Sequence, residues 1–352
     1  MTDSYQDALK AKNTLKLRAL LAELPAFLGE YFRSLTDDTS VRTRVGYAYD
    51  LKIFFQYLSE ECADFSNTPV RMFTAADLAK VTSENIEGFM EYLTYYIKPD
   101  ETADGCVMQN EVRGKSRKLA AVRTMFRYYY KKKKIAANPA ELVGFPKIHE
   151  KPITTLEVDE IAKLLDEVDS GEHLTPKQKQ FHEMTKVRDA AIITLLLGTG
   201  MRVSECVGID TAHIDFETNG VRVTRKGGDE VILYFGSEVE TALKRYLALR
   251  KTVVPLAGHE NAVFLSLQNR RITDRAIQNM VKKYAKLVTA LKNISPHKLR
   301  SSFGTQLYRE TGDIYLVANV LGHADVNTTR KHYAKMDDEY RRRAANAVKL
   351  RE

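Results

Sequence analysis

The sequence predicts a mostly α-helical protein with a small antiparallel β-sheet, divided into two domains. Three observations carry this expectation. Along most of the chain, apolar residues recur every three to four positions, the period of a helix buried on one side. Residues 221–235 behave differently. Val221 and Val223, then Val231, Leu233 and Phe235, alternate with other residues around Lys226-Gly227-Gly228-Asp229, the pattern of two strands joined by a turn. Finally, Gly144 to Leu156 (GFPKIHEKPITTL) has no period and holds Pro146 and Pro152, so it reads as a linker. A length of 352 residues suits two domains. The expected division is residues 1–145, a linker at 146–155, and 156–352.

In chain order, residues 5–35 read as helical with a break at Pro25. Residues 40–61 form a second helix capped by Thr39 or Ser40, with Val45, Tyr49, Ile53, Phe54 and Tyr57 as its core face. Helices are expected at 75–80 and 83–97, the second closed by Pro99. The acidic stretch after it, PDETADGCVMQNEV, reads as a loop. A helix over about 114–134 places Leu119, Val122, Phe126 and Tyr129 on one apolar stripe. Thr154 or Thr155 caps the next helix, near 156–168, with Glu157 or Glu160 close by. Helices follow at 176–197, 237–251, 273–292, 296–309, 313–321 and 337–350.

Composition narrows the function classes. A formal net charge of +8 favours a polyanionic partner. The charge is concentrated: Arg113 to Lys134 holds ten Lys or Arg and no Asp or Glu. Lys115 and Arg117 open this run, and Arg123, Arg127, Lys131 and Lys134 share a face beside its apolar stripe. Such a face without acidic partners suits a phosphate backbone. The three cysteines, Cys62, Cys106 and Cys206, are far apart and odd in number, which argues against a disulfide framework and for a reducing cytoplasm. There is no CxxC or HExxH spacing, no apolar signal core and no membrane-spanning run.

The chemistry-bearing residues gather from Ser295 to Tyr333, SPHKLRSSFGTQLYRETGDIYLVANVLGHADVNTTRKHY. His297 and Arg300, three apart, share a helix face. His323 follows Gly322 at an expected helix end, and Tyr333 lies ten positions later. Arginine offers a planar fork for phosphate oxygens, histidine moves protons near neutral pH, and tyrosine can act as a covalent nucleophile. Upstream, Arg202 stands where the apolar helix ends at Gly198 and Gly200, and Lys226 sits at the hairpin tip. Each residue alone reads as structural or solvated; as a set they point to chemistry on a phosphate.

This set, in the order Arg202, Lys226, His297, Arg300, His323, Tyr333, resembles the tyrosine site-specific recombinase (phage-type integrase) family. The flanking text GTGMRVSE, HKLRSSFGTQL and LGHADVNTT is similar to that family's boxes. The likeness is strong from about Thr155 onward. It is nearest to bacterial Xer-type enzymes, particularly the single-recombinase XerS type, although many Xer proteins place the tyrosine one residue closer to the preceding histidine. The resemblance implies a two-domain DNA clamp, a helical core-binding domain followed by a catalytic domain. It implies that Tyr333 attacks a backbone phosphorus to give a 3′-phosphotyrosyl link. Arg202, Arg300 and His323 would then stabilise the phosphate charge, with Lys226 as general acid and His297 as general base. Thr43, Arg44 and Tyr47 would face DNA, as would Lys115, Arg117, Arg123, Arg127 and Lys131. No metal, nucleotide or other cofactor is implied. The implied partners are duplex DNA with inverted half-sites and further copies of the chain, a dimer per site and a tetramer in the synapse, without a membrane. The implied role is Xer-type chromosome dimer resolution in the cytoplasm, at the nucleoid. Integration or excision of a mobile element is the alternative, and a type IB topoisomerase a more distant one.

Overall fold

The computed structural model describes residues 5–97, 107–148, 154–225, 227–289, 291–322 and Val326. It is mostly helical, with a two-stranded and a three-stranded antiparallel sheet. The chain forms two compact units, Met1–Glu150 and Lys151–Glu352. No helix among the described residues is long and apolar enough to cross a membrane.

The first unit contains α1 (Tyr5–Glu23), α2 (Leu28–Ser34), α3 (Val41–Glu61), α4 (Ala75–Leu78), α5 (Ser83–Tyr92), β1 (Tyr95–Ile97), β2 (Val107–Gln109) and α6 (Val112–Lys131). Ser40 caps α3 by accepting from the Thr43 N–H. Helix α3 is central and packs against α1, α5 and α6. The core is rich in aromatics: Tyr31, Phe32, Phe54, Phe55, Phe89, Phe126 and Tyr129 are all buried. Edge-on ring pairs such as Phe54–Phe89, with centroids 5.1 Å apart, fill it with directional contacts. The expected α6 stripe, Leu119, Val122, Phe126 and Tyr129, is fully buried.

Two expectations here need correction. Tyr49 is not in the core. It lies at the surface with the Lys16 ammonium 5.2 Å from its ring centroid. Val45, Phe54 and Tyr57 are buried as expected, and the buried face of α3 runs on through Ala48, Leu51, Phe55 and Leu58. Both stripes have helical spacing, and the packing of α1 and α6 against α3 selects one. Residues 95–97 are not helical either. They pair as β1 with β2 in the register Tyr95↔Gln109, Tyr96↔Met108 and Ile97↔Val107, so part of the expected loop is a strand. Two three-residue strands carry too little local signal to announce themselves. Their hydrogen bonds exist only once both are side by side.

The second unit contains α7 (Val158–Ser170), α8 (Pro176–Thr199), α9 (Val203–Val207), β3 (Ile214–Asp215), β4 (Gly220–Thr224), β5 (Glu230–Tyr234), α10 (Ser237–Arg250), α11 (Asp274–Val288), α12 (Pro296–Thr311) and α13 (Ile314–Leu321). Helix α8 packs against α7, α10 and α12, which is why Ala191, Ile192, Ile193, Leu195 and Leu196 are all buried. The cap of α7 is Glu157, whose N–H donates to Glu160, rather than a threonine. Glu157 also takes Arg309, and Glu160 takes Lys292, so the start of α7 is tied to α12 and to the segment before it. The expected hairpin is present, with Val221, Val223, Leu233 and Phe235 buried; β3 adds a short third strand. The expected helix at 337–350 lies outside the described residues.

Candidate active site

Arg202 sits where two helices meet. Helix α8 ends at Gly200, which takes a left-handed backbone (φ 62°). A Cβ there would also lie 2.3 Å from the Phe303 ring, so both conformation and close packing require glycine. Two residues on, Arg202 is the N-cap of α9. Its N–H donates to Glu205 Oε2 at 2.8 Å and its Nη1 to Glu205 Oε1 at 2.7 Å. The carboxylate is almost wholly buried, and a third of the Arg202 side chain remains exposed. A buried carboxylate at a helix N-terminus thus fixes the guanidinium against a rigid base.

Arg300 and His297 lie on α12, His297 in its first turn and exposed, Arg300 one turn later and buried. The Arg300 guanidinium spans two elements. Nη1 donates to Gly200 O at 2.7 Å, and Nη2 donates to Leu321 O. Arg202 Nη2 donates to the next carbonyl, Gly322 O, at 3.1 Å. The two arginines, 98 positions apart in the chain by their numbers, therefore meet on adjacent carbonyls at the end of α13. Those carbonyls are among the last of a helix, which have no partner within it and carry partial negative charge. Gly322 closes α13 in the left-handed region (φ 61°).

Of the six residues expected to act together, the structure places Arg202 and Arg300 at one point and His297 one turn from Arg300. Lys226, His323 and Tyr333 lie outside the described residues. Arg225 and Gly322, the chain neighbours of Lys226 and His323, are described and in contact with each other. A Cβ on Gly322 would come 2.1 Å from Arg225 Nη1. Nothing in the local sequence distinguished Arg225; its contacts cross more than ninety residues of chain.

The basic helix α6 is less uniform than its composition indicated. Acidic and polar partners arrive from other elements. Arg117 donates to buried Asp50 on α3. Burial pushes the Asp50 carboxyl up to about 6, against the opposing pull of Arg117 and Lys118; Arg117 is itself half exposed, so water screens its charge. Lys115 donates to Thr94 Oγ1 at 2.6 Å, Lys134 pairs with Glu30, and Arg127 lies 3.7 Å from Glu141. Arg123 stacks over the Phe145 ring at 4.7 Å. Lys131 is exposed. Lys115 and Arg117 therefore hold the fold together, whereas Arg127 and Lys131 face outward, as do Arg113, Lys132 and Lys133, with Arg123 half-buried beside Phe145. On α3, Arg44 donates to Thr36, Thr43 interacts with its cap Ser40, and Tyr47 packs against the core edge.

The chain is similar to known proteins in sequence and in fold. Residues 154–340 match the phage integrase family. A protein named tyrosine recombinase XerC from Chlorobaculum tepidum is 30% identical over 315 residues, covering 86% of this chain and 88% of the relative. In fold, the chain is similar to the XerH site-specific recombinase bound to palindromic difH substrate, with a TM-score of 0.62, 19% identity, and coverage of 95% of this chain and 89% of that one. It is equally similar to the Tn1549 transposon integrase in complex with transposon right end DNA, with a TM-score of 0.63, 16% identity, and coverage of 90% and 98%.

Proposed function

The chain belongs to the phage integrase family, and from that premise we propose how its own residues break and rejoin DNA. It is a site-specific tyrosine recombinase, related to the Xer type. The observation that carries the mechanism is the meeting of Arg202 and Arg300 on successive carbonyls at the end of α13. Each guanidinium is held in a fixed plane by protein contacts before DNA arrives. Two such forks stabilise the charge that develops on the non-bridging oxygens of a phosphate under attack, with little reorganisation at the moment of reaction.

Tyr333 Oη attacks the phosphorus and the bond to the 5′-oxygen breaks. The tyrosine proton passes to His297, and Lys226 gives a proton to the leaving 5′-oxygen. His323 adds a hydrogen bond to the phosphate. The product is a 3′-phosphotyrosyl link and a free 5′-hydroxyl. A 5′-hydroxyl from a second duplex reverses these steps, so the bond energy is conserved and no nucleotide is consumed. The substrate is duplex DNA with inverted half-sites, filled by two copies of the chain, with four copies in the synapse. The cell compartment is the cytoplasm, at the nucleoid. The role we favour is resolution of chromosome dimers, since a relative that spans most of this chain is Xer-named. Insertion or excision of a mobile element is the second reading, favoured by the His323-to-Tyr333 spacing. A map of the DNA bound in cells separates the two: one chromosomal site for the first, element ends for the second.

A duplex nicked beside the scissile phosphate tests the chemistry, because the short 5′-hydroxyl fragment diffuses away and traps the adduct. A covalent protein–DNA band should accumulate in excess EDTA without nucleotide. Loss of cleavage on chelation, restored by magnesium, would instead indicate a metal-dependent nuclease.

The α6 surface has its own test. Replacing Arg123, Arg127 and Lys131 by alanine should weaken binding to all sequences alike. Each lost phosphate contact should lower the slope of log K against log salt by about 0.9. An unchanged slope would make these three residues a solvated face.

A further inference from the structure

The end of α13 is held by three arginines rather than two. Arg225 Nη2 donates to Val320 O at 2.9 Å and more weakly to Asn319 O at 3.4 Å. Arg300 takes Leu321 O and Arg202 takes Gly322 O. Three successive carbonyls at the helix end, Val320 O, Leu321 O and Gly322 O, thus each accept from a different guanidinium, and Asn319 O, which also accepts from Gly322 N–H at 2.9 Å, adds a fourth contact. Burial, ahead of the neighbouring Arg202 and against the pull of Glu205, holds the Arg225 guanidinium below the usual arginine range. Arg225 also closes the turn between β4 and β5 with its backbone. Its N–H donates to Asp229 O at 2.7 Å, and its carbonyl accepts from Gly228 N at 3.1 Å. The turn itself calls for glycine, since Gly227 and Gly228 take φ of 119° and 103°. One residue therefore fixes the hairpin tip from within and ties it by its side chain to a separate helix. The residue bonded to it in the chain is Lys226.

We propose that Arg225 is a positioning residue for strand cleavage, tying the start of the β4–β5 turn, the residue bonded to Lys226 in the chain, to the carbonyl end of α13. This rests on the reading of Lys226 as the general acid. Without this tie, two glycines would leave the tip free to swing, and a proton donor displaced by an ångström loses much of its effect. Gly322 belongs to the same contact, because any Cβ at that position would occupy the space of the Arg225 guanidinium.

The test compares a normal nicked duplex with one whose scissile phosphate carries sulfur in place of the 5′-bridging oxygen. A thiol has a pKa of about 8.5, far below an alcohol, so a thiolate leaves without being protonated. Arg225→Ala should form the covalent adduct about 10- to 100-fold more slowly on the oxygen substrate, the scale of a mispositioned catalytic group. On the sulfur substrate its rate should return to that of the unaltered protein, and DNA affinity should be unchanged throughout. If Arg225→Ala proves unfolded by its melting curve, Arg225→Lys, which keeps the charge but not the planar fork, should show a smaller loss with the same rescue. Lys226→Ala serves as the reference and should be rescued too. If Lys226→Ala is rescued and the Arg225 variants are not, Arg225 acts elsewhere and the proposal is wrong. Full activity of Arg225→Ala on oxygen also overturns it. If sulfur fails to rescue Lys226→Ala, the acid is not on this hairpin, and the proposal falls together with that reading.

Discussion

Tyr333→Phe should abolish the covalent protein–DNA adduct while leaving DNA binding intact. The substitution removes one hydroxyl and keeps the ring, so packing and charge change little. What disappears is the nucleophile, and no other group in the proposed arrangement attacks phosphorus. The expected loss is complete within detection, whereas the loss of one acid or base costs about 10²–10⁴-fold. The measurement is the nicked duplex run on a denaturing gel, beside a gel-shift titration of the same variant. An adduct that survives in Tyr333→Phe would sink the assignment, and Tyr340 would become the next candidate.

Arg300→Ala should be nearly as damaging, and for two separable reasons. The guanidinium is buried and donates to Gly200 O and Leu321 O. Its removal strands two carbonyls between α8 and α13, at about 1–3 kcal/mol for each buried group left without a partner. It also removes a donor for the developing phosphate charge, a loss on the order of 10²–10³-fold in rate. Arg300→Lys separates the two effects. It keeps the positive charge but cannot span both carbonyls, because lysine is a point donor rather than a fork. Cleavage should therefore remain depressed in both variants, and the melting temperature should fall in both. A lysine variant with unaltered melting and unaltered cleavage would show that a simple charge suffices and that the fork plays no part.

The sequence by itself determined most of the described helices and the hairpin, and it named the six candidate residues of the active site. Each is written in short-range chemistry. Helical period specifies α3, α6, α8 and α12, with Ser40 at the start of α3 and Gly200 at the end of α8. Alternation around two glycines specifies β4 and β5. The order and context of Arg202, Lys226, His297, Arg300, His323 and Tyr333 pointed to phosphate chemistry and to the family. Tertiary structure alone decided which of two helical stripes on α3 is buried, because Ala48 and Leu51 become core only when α1 and α6 close over them. It alone made strands of residues 95–97 and 107–109, whose partners lie ten to fourteen positions away in the chain. It supplied Asp50, Glu30 and Glu141 to a basic run with no acidic residue of its own, so that Arg117 became structural while Lys131 stayed at the surface. It also brought Arg225, Arg300 and Arg202 to the end of one helix from three separate elements. The reason is common to all four. A capped turn is satisfied by neighbours in the chain, whereas an apolar helix face, a buried carbonyl or carboxylate, or a strand edge is satisfied only by whatever the fold carries to it.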